Sequence, residues 1–354
     1  MRRRTLLTAI AGGVAGVGAG VGAGTGHALA APVRAAASSN SARRILHVRP
    51  GDSVQAAVDA VDGPGRTIVV HPGTYREVIN VPVDKRELTL RGATRDPRDA
   101  VIVFDHANGT PKPDGTTYGT AGSATFTSAA PGLTVRDLTI ANDWLRADHP
   151  EITGTQAVAA CTYGDRTRFE NVRLLAHQDT LFVDTSALDV FDRQYFHRCY
   201  IEGDVDFVFG RATAVFEECH FHTLQREVTF TPKGMVFAPS TARANPHGIL
   251  AVRSRITSGA EDAAYKLARP WVPSYETTAW PSLVVRDTRI GPGIDAVAPY
   301  TNMRDAYPWQ SMRFHEYRNT GPGSTITVAE NRPQLTRTEA RLHTPEAYLG
   351  DWRP

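Results

Sequence analysis

One short pattern recurs along the middle of the chain and limits what the chain can become. It reads LTVRDLTI (133–140), TRFENVRL (167–174), QYFHRCYI (194–201), AVFEECHF (214–221), LAVRSRI (250–256) and LVVRDTRI (283–290). Aligned on the last apolar residue, the copies place Ile140, Leu174, Ile201, Phe221, Ile256 and Ile290 at successive distances of 34, 27, 20, 35 and 34 residues. Five positions earlier stands Val135, Phe169, Phe196, Phe216, Ala251 or Val285, and two positions earlier Leu138, Val172, Cys199, Cys219, Ser254 or Thr288. Alternation over so few residues predicts a strand. Recurrence at these intervals, with no long helical pattern between copies, predicts the stacked coils of a parallel β-helix. Strands of a β-sandwich would recur every ~8–12 residues through hairpin turns, which this spacing does not do. The expected fold is all-β.

In such a solenoid, equivalent positions of neighbouring coils lie about 4.8 Å apart. Cys199 and Cys219 are then inward-facing neighbours, either two small apolar core residues or a disulfide. The open ends of the stack need covers. DSVQAAVDAV (52–61) predicts a short amphipathic helix with Asp52 or Ser53 as N-cap, plugging the first coil. TRTEARLHTPEAYLGDW (336–352) predicts a second helical cover near the other end.

The N-terminus reads as a targeting segment. MRRRTLLTAIAGGVAGVGAG is a basic start followed by a weakly apolar stretch, and ALA at 28–30 is a small-x-small cleavage signal. The arginines ahead of Thr5, Leu6 and Leu7 suggest twin-arginine export from a bacterium. The segment is too glycine-rich for a membrane anchor, and no second apolar run approaches the ~20 residues needed to span a bilayer. Residues 1–30 are therefore expected to be a signal peptide, 31–44 a disordered lead-in, and 45–354 one catalytic domain. The formal charge of the 354 residues is +2, and Arg2, Arg3 and Arg4 more than account for it. The remainder lacks the basic face that nucleic-acid binding requires.

Two aspartates sit in apolar, aromatic surroundings: Asp179 in HQDTLFVD (177–184) and Asp206 in VDFVFG (205–210). Each lies five residues after an anchor, Leu174 or Ile201, so the stack places one carboxylate above the other. Two carboxylates so close cannot both ionise freely. An ionised nucleophile beside a protonated acid is a common catalytic arrangement; the alternative is a pair of turn aspartates capping backbone N–H groups. Other chemistries find little support. No GxSxG elbow, HExxH motif or phosphate-binding glycine loop occurs, and the three cysteines form no CxxC.

From about residue 46 to the end, the chain resembles the pectin methylesterase (pectinesterase) family of right-handed parallel β-helix enzymes. The resemblance rests on motifs in the family's order: GTYREVINV (73–81), QAVA from Gln156, QDTLF from Gln178, DFVFG from Asp206, APST (238–241), LARPW (267–271), EYRNTGPG (316–323) and YLGDW (348–352). It implies Asp206 as nucleophile, Asp179 as general acid and then base, and Gln156 and Gln178 as oxyanion donors. It implies Arg269 as the holder of Asp206, and Phe182, Phe207, Trp271 and Met303 as sugar-contacting residues. No cofactor or metal is implied. The expected substrate is pectin (methyl-esterified homogalacturonan), acted on by a secreted monomer with no membrane contact after cleavage. Competing readings are a pectate lyase or polygalacturonase on the same fold, a non-catalytic glycan-binding solenoid, and a relative hydrolysing another ester or a thioester. Three departures stand out. Ala268 replaces the family's glycine, the connection at 185–196 is long and expected to form a wall of the cleft, and Phe182 stands where the family commonly has a tyrosine, losing one hydroxyl.

Overall fold

The computed structural model describes residues 45–354; the expected signal peptide and lead-in lie outside the described residues. The strands pair in parallel into three sheets of ten, eight and seven strands. A coil takes one strand from each sheet in turn. Thr167–Glu170, Arg173–Leu175 and Leu181–Val183 make one coil. Arg193–His197, Tyr200–Gly203 and Val208–Gly210 make the next. The architecture is a right-handed parallel β-helix, the hand that parallel crossovers adopt.

Every anchor stacks on the next: Ile140 on Leu174, Leu174 on Ile201, Ile201 on Phe221, Phe221 on Ile256 and Ile256 on Ile290. The repeat is nevertheless not one strand. Residues five and two before an anchor are an odd number apart, so a straight strand would point them to opposite faces. The chain solves this with a corner three residues before each anchor. There Asp137, Asn171, Arg198, Glu218, Arg253 and Asp287 all take positive φ, between 50° and 58°. Each repeat is therefore two strands of different sheets joined at a bend, and all three apolar rows face the interior. Phe169, Phe196 and Phe216 stack there, with ring centroids 5.1 and 4.6 Å apart. Cys199 and Cys219 are buried in the third row as free thiols. Each Sγ donates to a backbone carbonyl, Phe169 O at 3.6 Å and Phe196 O at 3.4 Å.

The helix Val54–Asp59 closes the first coil, burying Val54 and Val58. Ser53, not Asp52, is the N-cap, accepting from the Ala56 N–H at 3.0 Å. Glu77 accepts from the Val54 and Gln55 N–H groups at 2.7 and 3.1 Å, which explains the glutamate of GTYREVINV as an end-closing residue.

The second helix is not where the sequence placed it. Pro345–Leu349 lies on the flank of the stack. Leu335, Ala340, Tyr348 and Leu349 cover Val215, Leu250, Val252 and Val284 on the outer face of the ten-stranded sheet. Those strands carry apolar residues on both faces and so need an outer cover. The far end is closed instead by Trp309, Phe314 and Tyr300, with the buried Arg332 paired to Glu316 at 2.7 Å.

Candidate active site

The outer face of the seven-stranded sheet carries a cavity of ≈ 390 Å³. Five consecutive strands underlie it or lead into it, Tyr265–Ala268, Gly234–Pro239, Val208–Gly210, Leu181–Val183 and Ala160–Thr162, and the middle three supply Ala238, Phe209 and Phe182 to its lining. Gln156, Gln178, Asp179, Phe182, Asp206, Arg269, Trp271 and Met303 all line it, joined by Thr120, Phe209, Ala238 and Tyr275.

The aspartates are in register. Leu181 pairs with Val208 and Phe182 with Phe209. Asp179 and Asp206 precede those pairs by the same two residues, and the Asp179 N–H donates to the Val205 carbonyl at 2.9 Å. Both occupy corners of positive φ, 66° and 49°. Both are nearly buried, at 8% and 6% exposure. Burial lifts both carboxyls above the ordinary range, and at Asp179 the negative Asp206 adds to the effect. Arg269 opposes this at Asp206 by direct contact: Nε donates to Oδ1 at 2.9 Å and Nη2 to Oδ2 at 2.6 Å. Asp206 therefore ionises first, and Asp179 keeps its proton to higher pH.

A third carboxylate lies close by. Asp204, at 1% exposure, takes both terminal nitrogens of Arg146, at 2.6 and 3.0 Å. His177 Nδ1 lies 3.4 Å from the same group. Burial alone would raise Asp204, but hydrogen bonds from His177 and Arg146 outweigh it and hold the carboxyl well below the usual range. It stays an anion, with its charge answered locally.

The structure corrects one residue. Phe207 is fully buried in the interior core, not in the cleft. Its room is made by Gly203, where an added Cβ would lie 2.3 Å from the Phe207 Cβ. The cleft aromatic is Phe209, whose ring stacks on Phe182 at 4.3 Å between centroids and 11° between planes. Trp271 leans against both, at 5.9 and 5.7 Å. The 27-residue step that aligned the aspartates also leads from Phe182 to Phe209, so this residue was within reach of the sequence.

Tyr275 had no such signal. It is 60% exposed at the cleft margin, and its hydroxyl accepts from Arg211 Nη2 at 2.6 Å. Arg211 in turn is fixed by Asp184. The long connection at 185–196 does not line the cavity; its last residues belong to the strand Arg193–His197. Ala268 does not adopt the positive φ that would favour glycine. It is an ordinary strand residue with its methyl in the core. Among the described residues, no group of three or more His, Cys, Asp or Glu side chains could hold a metal ion.

Comparison with known proteins points the same way. The chain is 33% identical over 306 residues to a pectinesterase of Ralstonia solanacearum, covering 77% of this chain and 76% of that one. It is 34% identical over 299 residues to pectinesterase B of Dickeya dadantii, covering 70% and 68%. Among solved structures, pectin methylesterase PemA from Erwinia chrysanthemi superposes with a TM-score of 0.77 at 29% identity, covering 90% of this chain and 99% of that one. A pectin methylesterase in complex with a hexasaccharide gives 0.76 at 30% identity, covering 85% and 94%. Residues 47–351 match the family described as pectinesterase, and with this core, these strands and this cleft the chain belongs to that family.

Proposed function

We propose that this esterase removes methyl esters from pectin, releasing methanol and leaving pectate. The observation that carries the reading is the stacked Asp179–Asp206 pair, in which only Asp206 is gripped by an arginine. The Asp206 carboxylate attacks the ester carbonyl of a uronate unit. The carbonyl electrons move onto oxygen, and the Gln156 and Gln178 amides stabilise that oxyanion, each donor being worth roughly 3 kcal/mol. The tetrahedral species collapses, and the methoxyl group leaves with the proton of Asp179 as methanol. Asp206 is left acylated as an anhydride. Asp179, now ionised, takes a proton from water as the water attacks the acyl carbon. The product leaves as the carboxylic acid, which loses its proton to water, Asp206 is freed as the carboxylate and Asp179 is again protonated. Phe182, Phe209, Trp271 and Tyr275 offer ring faces to the apolar faces of the sugars, with Met303 beside them.

The relatives solved with oligosaccharides support a polysaccharide partner. We further propose export through the arginine-led N-terminal segment and action as a monomer. The test is methanol release from methyl-esterified pectin, with Asp206→Asn as control. Formation of unsaturated sugars or chain cleavage without methanol would favour the lyase or polygalacturonase alternatives.

A further inference from the structure

An oxyanion donor works only if its N–H2 end faces the substrate. A glutamine amide can rotate by half a turn about its last bond and present its carbonyl instead, which would repel the developing charge. Something must choose between the two orientations. For Gln156 nothing among the described residues does so: its Oε1 is buried without a hydrogen-bond partner.

Gln178 is different. Its Oε1 accepts from Thr155 Oγ1 at 2.7 Å and from Arg146 Nη2 at 3.3 Å. Arginine has donors only, so the end of Gln178 that faces Nη2 must be the oxygen. Arg146 is itself held by a carboxylate. Its two terminal nitrogens bind the two oxygens of Asp204, and Asp204 Oδ1 also accepts from the Val205 N–H at 2.7 Å. Arg146 and Thr155 both come from the segment between the strands Thr139–Asn142 and Ala160–Thr162. Asp204 comes from the coil that carries Asp206. The segment thus reaches over two coils and holds one amide.

We propose that Thr155 and Arg146 are positioning residues for Gln178. They occupy its carbonyl, with Asp204 as the anchor of Arg146, so that the amide N–H2 is the end offered to the oxyanion. The assignment rests on the oxyanion role given to Gln178 above. The Gln178 N–H2 end is turned toward the Asp179 carboxyl, and the contacts from Thr155 and Arg146 hold this orientation, which the Gln178 side chain cannot select for itself.

The test is a double-mutant cycle on kcat and KM for methanol release, using Thr155→Val, Thr155→Ser and Gln178→Ala, with Tm measured for each. Valine matches threonine in shape and removes only the hydroxyl. Thr155→Val is expected to lower kcat about tenfold, the loss of roughly one neutral hydrogen bond from the selected orientation, with KM changed less than about twofold. Thr155→Ser, which restores the donor, is expected to restore kcat. Gln178→Ala is expected to lose on the order of 10²–10³ in kcat, and adding Thr155→Val to it should lose nothing more. Unchanged kcat in Thr155→Val, failure of serine to rescue, or the same tenfold loss in the Gln178→Ala background would overturn the positioning role and leave the role of Gln178 standing. Full kcat in Gln178→Ala would overturn the oxyanion reading, and the positioning role with it.

Discussion

Replacing Arg269 by methionine keeps the length of the side chain and removes its charge and all its donors. In the wild type, the guanidinium contacts both oxygens of Asp206 at 2.6–3.2 Å, within a site where that carboxylate is 6% exposed. At ~4 Å between charge centres and an effective dielectric constant of ~20, the attraction is about 4 kcal/mol. At 1.36 kcal/mol per tenfold, its loss leaves about a thousandfold fewer ionised Asp206 carboxylates at any pH below the acid limb of the profile. Burial and the neighbouring Asp204 anion, which both raise Asp206, are then unopposed. The acid limb of kcat/KM should move to higher pH in Arg269→Met, with part of the activity recovered on the alkaline side. Arg269→Lys, which keeps the charge without the paired contact, should fall between. The assay is methanol release across a pH series at constant ionic strength, with Tm followed in parallel. A uniform loss at every pH with the limb unmoved would refute the reasoning, because Arg269 would then act on substrate or fold and not on the ionisation of Asp206.

Three further outcomes follow from the same geometry. Because burial and Asp206 raise the Asp179 carboxyl, the folded protein holds a proton there that the unfolded chain has released; stability from this group is full below the ordinary carboxylate value and declines as pH rises through the raised one. Asp179→Asn should therefore raise Tm at neutral pH while nearly abolishing turnover, with the gain vanishing as pH falls to the ordinary value; parallel Tm curves for the two proteins would contradict this. Phe207→Ala, in the core, should destabilise by about 3–5 kcal/mol in denaturant titration without raising KM, whereas Phe209→Ala, also buried but at the cleft, should destabilise and raise KM as well; a rise in KM confined to Phe207→Ala would restore Phe207 to the cleft. EDTA and dialysis should leave methanol release intact, since both Asp206 oxygens are engaged by Arg269 and both Asp204 oxygens by Arg146; loss reversed by calcium would contradict it.

What could be read from the sequence was whatever repeats. Six apolar anchors at fixed offsets were enough for the coil stack, and the aspartates inherited their register from Leu174 and Ile201. Phe207 was placed in the cleft by the family resemblance and not by the repeat; the strand after the corner at Asp206 turns Phe207 inward and pairs Phe182 with Phe209. The helix Pro345–Leu349 was assigned its type correctly, but its place depends on apolar residues of the outer sheet face, such as Val215 and Leu250, which look like core in the sequence. Thr155, Arg146, Asp204 and Tyr275 left no mark at all. Their roles come from contacts such as Arg146 with Asp204, 58 residues apart in the chain, and no periodic feature encodes these.

The five adjacent strands beneath the cleft have one more consequence. In a solenoid each coil is held mainly by its two neighbours, so unfolding can begin at either end and progress inward. Gln156, Asp179, Asp206 and Arg269 stand beside four of five adjacent strands at one end of the seven-stranded sheet, and the segment bearing Arg269 is followed by the strands Ser282–Arg286 and Arg313–Tyr317 of the neighbouring sheet. The first coils, sealed by the helix Val54–Asp59, contribute none of these groups. Fraying there leaves the reacting atoms in place. A half-assembled stack, by contrast, has no weakly active form, because Arg269 meets Asp206 only across the intervening strand Gly234–Pro239. The enzyme is thus tolerant of loosening at its N-terminal end and all-or-none at its middle.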